Sequence, residues 1–385
     1  MTKVFGKKDQ ISAVQARHNA QKIAFAPFIY QATRALRDLG ILDLLMRDQK
    51  EGLKVSTIAT QLGLSDYGVA VLLEAGLGAE VVYTEHQRYF LTKTGYYILN
   101  DELTRVNMNF VGDVCYQSMT NLQEAVVTGK PSGLSRFGAW DTIYQGLTQL
   151  PTDVQKSWFE FDHFYSDAAF SAALPIVFAL NPKHILDVGG NTGKWSLNCL
   201  RYDDRVHMTI VDLPPQLELA NKNLTEAGFD GRFSTYGIDM LDDGQRLPYS
   251  ADVIWMSQFL DCFSTENIVR ILTCARGSLN QNTSLFILES FWDKQRFDAA
   301  AFTLVNTSLY FACVANGNSK MYHSEELKAC ASQAGLSLYQ EIDGIGFGHT
   351  LLEYRLNSLA LIHSSVACRY ALYRAPQSVR TFCFV

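Results

Sequence analysis

The chain has 385 residues, 48% of them hydrophobic, so it can bury a large core and its length suits two or three domains. A net charge of −6, a pI of about 5.8 and no long basic run exclude a general nucleic-acid or anionic-membrane binder. Residues 1–21 lack the apolar core of a signal peptide, no stretch approaches the roughly 18 apolar residues of a membrane span, and the eight cysteines show no C-x-x-C pair. A reduced, cytoplasmic enzyme with no metal site, no nucleic-acid partner and no membrane partner is the expectation.

In chain order, "APFIYQATRALRDLGILDLL" has helical spacing, and "KVSTIATQLGLSDYGVAVLLEAGL" predicts further helices broken at Gly63 and Ser65. "EVVYTEHQRYFLTKTGYYIL" alternates like a two-stranded wing turning at "EHQR". This is a winged helix-turn-helix pattern, whose usual task is to read DNA. Residues 65–82, which include the recognition-helix position, contain no Lys or Arg. Phosphate contacts supply most non-specific DNA affinity, so the sequence argues against that task. Packing against a second copy suits so apolar a segment better.

Residues 101–180 carry aromatic-rich helical stretches, "VGDVCYQSMTNLQEAVVTG" and "DVQKSWFEFDHFYSDAAFSAALPIVFAL", joined through a loop at "GKPSGLSRFGAW". From residue 183 short β-rich runs, "HILDVGG", "HMTIVDLP", "ADVIWMS" and "SLFILES", alternate with helical segments. That texture predicts an α/β, doubly wound, mostly parallel sheet. Four segments are expected: residues 1–105, 106–180, 181–356, and 357–385, the last without an acidic residue or a clear period.

"HILDVGGNTGKWSLNCL" predicts a buried strand, a Gly-rich turn and a helix start. Gly189, Gly190 and Gly193 permit tight turning and close approach of a ligand. The free N–H groups of the helix start favour an anionic group. A dinucleotide fingerprint fails here, because Asn191 and Lys194 stand where it needs glycine. Asp212, about 20 residues on at the end of the second strand, can grip both hydroxyls of a ribose. Its plainer role would be a strand-end cap. Asp239 and Met240, in "YGIDMLDD", suit an adenine edge and face.

These motifs in this order resemble class I S-adenosylmethionine-dependent methyltransferases, and more narrowly the small-molecule O-methyltransferases of the caffeate and hydroxyneurosporene type. The resemblance runs over roughly residues 20–356, through "YFLTKTGYYIL", "LQEAVVTGKP", "DVGGNTG", "IVDLP", "IDM" and "ENIVRIL". It implies a Rossmann-like methyltransferase domain over residues 181–356 and a winged-helix dimerisation domain over 1–105. Residues 106–180 become a helical linker with part of the acceptor pocket. It implies a homodimer, S-adenosyl-L-methionine as cofactor, and an aromatic or polyene small molecule as acceptor. Asp187, Gly189, Gly190, Gly193, Asp212, Asp239, Met240 and Ser257 fall on its cofactor positions, Ser257 where the family has a lysine. Tyr116, Met119, Tyr165, Phe302 and Tyr310 fall in segments matching its acceptor-pocket walls.

The reacting centre departs from the family. Where "LHDW" is usual, with the histidine taking the acceptor's proton, this chain reads Leu260, Asp261, Cys262, Phe263. Glu289 matches the supporting carboxylate, while Met321 stands in place of a second supporting acid. An aspartate near its ordinary pKa of about 3.9 is a poor base for a phenol near 10, but burial raises it. Three readings of Asp261 stay open: a base alone or with Glu289, a group that orients the acceptor, or a cap on the helix starting near Ser264. His163 could supply the missing base, as could His323 or His349. With the histidine gone, methylation at carbon competes with methylation at oxygen. A cofactor-binding regulator without catalysis, or non-methyl chemistry in the same pocket, are the alternatives.

Overall fold

A computed structural model describes residues 10–356 apart from 243, 249 and 250; the expected C-terminal extension, residues 357–385, lies outside the described residues. The described chain forms two compact units, one built from residues 10–117 together with Leu150–Phe164, the other from Ser118–Gln149 and residues 165–356.

The N-terminal unit is helical with one hairpin. Its elements are α1 (Ala13–Ala24), α2 (Ala26–Asp38), α3 (Ile41–Arg47), α4 (Val55–Leu62), α5 (Asp66–Gly78), β1 (Val82–Glu85), β2 (Arg88–Leu91), α6 (Lys93–Asn100) and α7 (Glu102–Asn109). Gly63 ends α4 in the left-handed conformation at φ +66°, and the Ser65 hydroxyl caps α5 by accepting from Gly68 N. Antiparallel β1 and β2 turn at His86 and Gln87, as the alternation predicts. "TKTGYYIL", read from sequence as part of the wing, is instead the helix α6. The Thr92 hydroxyl accepts from Gly95 N and starts a helix there. The core of this unit gathers Leu36, Ile41, Leu42, Ile58, Leu73 and Leu91. Beside it Asp113 accepts from Arg34 at 2.6 Å and from the Ser157 hydroxyl at 2.7 Å.

After α7 the stretch expected to be simply helical is a π-helical turn, Phe110–Cys115, and a 3-10 turn, Ser118–Asn121, before α8 (Leu122–Thr128). The long α9 (Thr152–Phe178) follows.

The C-terminal unit holds a seven-stranded sheet in the order β5-β4-β3-β6-β7-β9-β8. Its strands and helices are β3 (His184–Val188), α10 (Lys194–Tyr202), β4 (His207–Asp212), α11 (Pro214–Glu226), β5 (Phe233–Gly237), β6 (Val253–Ser257), α12 (Thr265–Gly277), β7 (Ser284–Glu289), α13 (Asp298–Tyr310), α14 (Ser324–Gln333), β8 (Leu336–Ile345) and β9 (His349–Leu356). Strands β3 to β7 pair in parallel; β9 runs antiparallel to both β7 and β8. The inner strands read as continuous apolar runs because helices cover both faces. One face packs Leu186, Ile254, Met256, Ile271 and Leu285; the other stacks Trp195 on Trp255 with ring centroids 3.8 Å apart. The chain leaves β3 in one direction toward β4 and later returns to its other side as β6. That is the topological switch point, where ligands bind at the carboxyl ends of the strands.

One sequence expectation is corrected here. Asp298–Ala315, α13 plus a π-helical turn, is long and apolar enough to cross a membrane by length and composition, and 39% of it is buried. Its Ala301, Leu304 and Tyr310 pack inside the C-terminal unit.

His349 in β9 is fully buried, and burial lowers its pKa to about 4. Between the unfolded value of about 6.5 and that folded value, the unfolded chain takes up a proton that the folded chain refuses. Stability is therefore present above the unfolded value and lost as pH falls through the window. We expect this residue alone to cost about 2 kcal/mol between pH 7 and pH 5. In thermal denaturation at both pH values, His349→Leu should flatten the acid loss; an unchanged slope would show that the buried imidazole does not set it.

Candidate active site

Every sequence-predicted cofactor residue except Asp187 lies at or just past the carboxyl end of a parallel strand. Gly189 and Gly193 have φ of +74° and +77°, and Asn191 takes the same left-handed region at +47°. Left-handed backbone suits glycine and, among the others, asparagine. The crowding is as telling as the dihedrals. A Cβ on Gly190 would lie 2.6 Å from Ile210 and 3.1 Å from the Asp187 carboxyl, and one on Gly189 would overlap the Phe259 ring. The turn is thus pressed against the sheet from behind, and its amides face the strand ends.

Asp212 closes the adjoining side. Its Oδ2 accepts from Asn191 N at 2.8 Å and its Oδ1 from Leu213 N at 2.7 Å. Burial raises its pKa while those amides lower it. It is therefore a cap on the Gly-rich turn, and each oxygen keeps a lone pair for a diol. Ile238 N donates to Asp212 O at 3.0 Å, which brings the next segment alongside. There Asp239 is exposed and accepts from Leu241 N at 2.9 Å, while Met240 is buried at the edge of the core. Asp187 sits beneath the turn in β3, 2% exposed, accepting from the Ser196 hydroxyl at 2.7 Å. Burial, and next the Asp212 charge, raise it to about 7.

At the end of β6, Ser257 Oγ and Gln258 Oε1 are buried without a partner among the described residues, and Gln258 has φ +47°. Buried polar atoms left unpaired in a strand-end crevice mark a place for a polar ligand. Glycine cradle, diol-binding carboxylate and orphaned acceptors together fit a nucleoside-bearing cofactor such as S-adenosylmethionine.

Asp261 follows in a 3-10 turn, Leu260–Cys262, braced on several sides. Glu289 Oε1 accepts from Phe259 N at 3.0 Å and Leu260 N at 2.8 Å. Asn316 Nδ2 donates to Cys262 O at 2.9 Å, and the Tyr322 hydroxyl donates to Phe263 O at 2.6 Å. Desolvation raises Asp261 to about 6, offset in part by the Cys262 thiol, which donates to its Oδ1 at 3.5 Å. Glu289 is 2% exposed, and burial followed by the Asp261 charge pushes it well above the carboxylate range. Burial thus disfavours the charged form of both carboxyls, and for Glu289 the neighbouring Asp261 charge disfavours it further. The capping reading of Asp261 is overturned: Ser264 is the N-cap of α12, its hydroxyl accepting from Asn267 N at 3.3 Å.

The remaining candidates disperse. His323 is spent as the N-cap of α14, where its ring accepts from Glu325 N at 3.1 Å, and fully buried His349 has no access to a substrate. His163 is half-buried in the N-terminal unit beside Phe159. Tyr116 belongs to that unit too, stacked on Tyr30 and donating to Pro27 O at 3.1 Å. Met119, Tyr165, Phe302 and Tyr310 belong to the C-terminal unit; Tyr310 is buried, Met119 and Tyr165 partly so, and Phe302 is 62% exposed. Sequence reasoning missed Tyr144, in the 3-10 turn Ile143–Gln145, whose buried hydroxyl faces Cys262, Tyr310 and Asp261. Nothing local in "DTIYQGL" singles it out.

Residues 171–337 match the O-methyltransferase domain family, and residues 17–89 match the Dimerisation2-like domain family. The chain is an S-adenosylmethionine-dependent methyltransferase. Among curated relatives, this methyltransferase is 23% identical over 331 residues to the L-tyrosine C(3)-methyltransferase of Streptomyces lavendulae, covering 84% of this chain and 88% of that protein. Among solved structures it is similar to the S-adenosylmethionine-dependent methyltransferase SibL, with a TM-score of 0.67 and 19% identity over 87% of this chain and 98% of the other. It is also similar to NcsB1 of neocarzinostatin biosynthesis, solved with S-adenosylmethionine and 2-hydroxy-5-methyl naphthoic acid. That match has a TM-score of 0.63 and 18% identity over 85% of this chain and 96% of the other. The fold expected from the sequence, a Rossmann-like sheet preceded by a helical dimerisation domain, is the fold found.

Proposed function

We propose that this methyltransferase methylates an aromatic small molecule bearing a phenolic hydroxyl, with Asp261 receiving that hydroxyl. The observation that carries the reading is the braced turn after β6, which holds one ionised carboxylate, raised to about 6, at the strand-end crevice. S-adenosylmethionine supplies an electrophilic methyl on a sulfonium. Gly189, Gly190 and Gly193 cradle it, Asp212 grips the ribose, and Asp239, Met240 and Ser257 bound the adenine. Asp187 fixes the turn from beneath. Asp261 accepts the hydroxyl proton, and Glu289 holds the Asp261 turn through the Phe259 and Leu260 amides. Met119, Tyr165, Phe302 and Tyr310 contribute apolar surface for a flat acceptor.

Two acceptor atoms suit this site, the phenolic oxygen and the ring carbon ortho to it. Carbon is favoured by the carboxylate at the family's histidine position. As the phenolic proton moves toward an aspartate raised to about 6, charge builds at the ortho carbon, which needs less help from a base to attack than the oxygen does. The relative over most of the chain that methylates C(3) of L-tyrosine supports the same choice.

Residues 1–105 serve dimerisation in this reading, residues 106–180 link and line the pocket, and 181–356 carry the chemistry. The N-terminal unit leaves Val14, Ile23, Phe28 and Tyr67 at least 72% exposed, and α1 buries no residue of its own. An apolar surface of that kind is normally covered by a partner, here a second copy. Release of S-adenosylhomocysteine on adding phenols, naphthols and tyrosine, measured with the mass in solution, tests both parts. Product release from a dimer is the expected result; a monomer without turnover on any aromatic would overturn them.

A further inference from the structure

We propose that the Tyr144 hydroxyl is the second hydrogen-bonding partner of the acceptor's phenolic oxygen, opposite Asp261; this rests on the aromatic-acceptor reading above. Tyr144 lies far from the chemistry in sequence, yet three observations place it there.

The hydroxyl is buried with the Cys262 thiol, a weak acceptor, as its hydrogen-bonding neighbour and with no oxygen or nitrogen partner among the described residues. A tyrosine in a packed interior normally finds a partner for its O–H, because leaving it unmade costs about 1–3 kcal/mol. Its surroundings are the Cys262 thiol, Tyr310 and the Asp261 carboxylate, so a donor held only by a thiol lies beside the reacting turn. Finally, its backbone is tied to the cofactor side. Gln216 Nε2 donates to Tyr144 O at 3.0 Å, and Gln216 lies in the first turns of α11, just past Asp212. The same strand end that holds the ribose therefore sets where this hydroxyl stands.

Burial keeps Tyr144 a phenol, since its pKa is raised well above the ordinary value with desolvation the main cause. It is a donor in this role and not a base. When the acceptor's hydroxyl proton passes to Asp261, the electron pair left on the acceptor oxygen accepts the Tyr144 O–H. Attack by the acceptor's oxygen or ortho carbon forms the bond to the methyl, and the methyl–sulfur pair stays on sulfur. A ring carbon that has gained the methyl then sheds its own proton to water to restore aromaticity, and the oxygen takes back its proton from Asp261. Tyr144 keeps its proton throughout and stabilises the charge that develops on oxygen.

The test uses full-length protein saturated with S-adenosylhomocysteine and 4-nitrophenol, whose phenolate is read by its visible absorbance. The parent should bind the probe with a larger phenolate fraction than free probe shows at the same pH. Tyr144→Phe should lower the bound phenolate-to-phenol ratio at least tenfold, the size expected for one hydrogen bond to a charged oxygen, with S-adenosylhomocysteine affinity unchanged. An unaltered ratio in that variant would overturn the assignment. If Tyr144→Phe does not fold, Gln216→Leu frees the turn without touching the hydroxyl. It should lower the ratio several-fold, and no change there counts equally against Tyr144. Failure of the parent to bind 4-nitrophenol, 4-nitrocatechol or 2-naphthol would instead remove the aromatic-acceptor reading, and this assignment with it.

Discussion

Asp261→Asn protein should bind S-adenosylhomocysteine within about twofold of the parent and lose 10²- to 10³-fold in kcat, at the lower end of what a positioned general base supplies. The asparagine keeps the shape of the side chain and an oxygen that can accept a hydrogen bond from the acceptor. It removes only the ability to take a proton. The pH profile separates this from a structural effect. With Asp261 raised to about 6, its basic form fills as pH rises through that value. The parent's kcat should therefore climb to a plateau above about pH 7, and the residual activity of the variant should lack that limb. Glu289→Gln sharpens the point. Glutamine can still accept from Phe259 N and Leu260 N but cannot ionise, so the turn survives and one neutral group replaces another beside Asp261. The limb should then stay near the Asp261 value. A limb that persists in Asp261→Asn, or that disappears in Glu289→Gln, would assign the titration to another group.

Asp212→Ala should weaken S-adenosylhomocysteine binding by about 100-fold or more. Two hydroxyls hydrogen-bonded to an ionised carboxylate contribute about 1.5–3 kcal/mol each, and removing the group loses both. Part of the loss comes from Asn191 N, which the aspartate caps at 2.8 Å and which would be left facing an apolar side chain. Asp212→Asn distinguishes the two contributions. Its amide oxygen can still serve one of the two backbone donors, Asn191 N or Leu213 N, so the variant should lose less melting temperature than the alanine protein while ribose binding weakens at least tenfold. Calorimetry and thermal denaturation on the three proteins measure both quantities. Equal affinity in the alanine variant would mean that the nucleoside does not lie at this strand end.

Much of this site could be read from the chain because its parts are local. Gly189, Gly190 and Gly193 announce themselves by a conformational need that few other residues meet, and Asp212 by its distance from them along two successive strands. Asp261 stood out because a carboxylate after an apolar strand must have a partner, a task or a raised pKa, and it has the last of these. The wing was half legible: alternation shows β1 and β2, but "TKTGYYIL" keeps an alternating look while Thr92 caps it into a helix. The caps themselves misled once, since Ser264 and not Asp261 begins α12. What sequence could not give are the meetings of distant residues. Tyr144 reaches the Asp261 turn, Asn316 and Tyr322 brace it, and Trp195 stacks on Trp255 only because the sheet brings separate segments together. No periodicity carries that information, because those contacts are set by the crossing order of the strands.

A single reaction with S-adenosylmethionine labelled with ¹³C at its methyl group, followed by carbon NMR on parent and Asp261→Asn protein with tyrosine, phenol and naphthol acceptors, goes straight to the transfer step. We expect the label to leave the sulfonium for an aromatic acceptor in the parent, at the ring carbon beside the hydroxyl or on its oxygen, and to stay on sulfur in the variant over the same period. A label that remains on the sulfonium with every acceptor while the parent binds the cofactor, or that moves equally fast without the carboxylate, would contradict Asp261 as the group through which this chain activates its substrate.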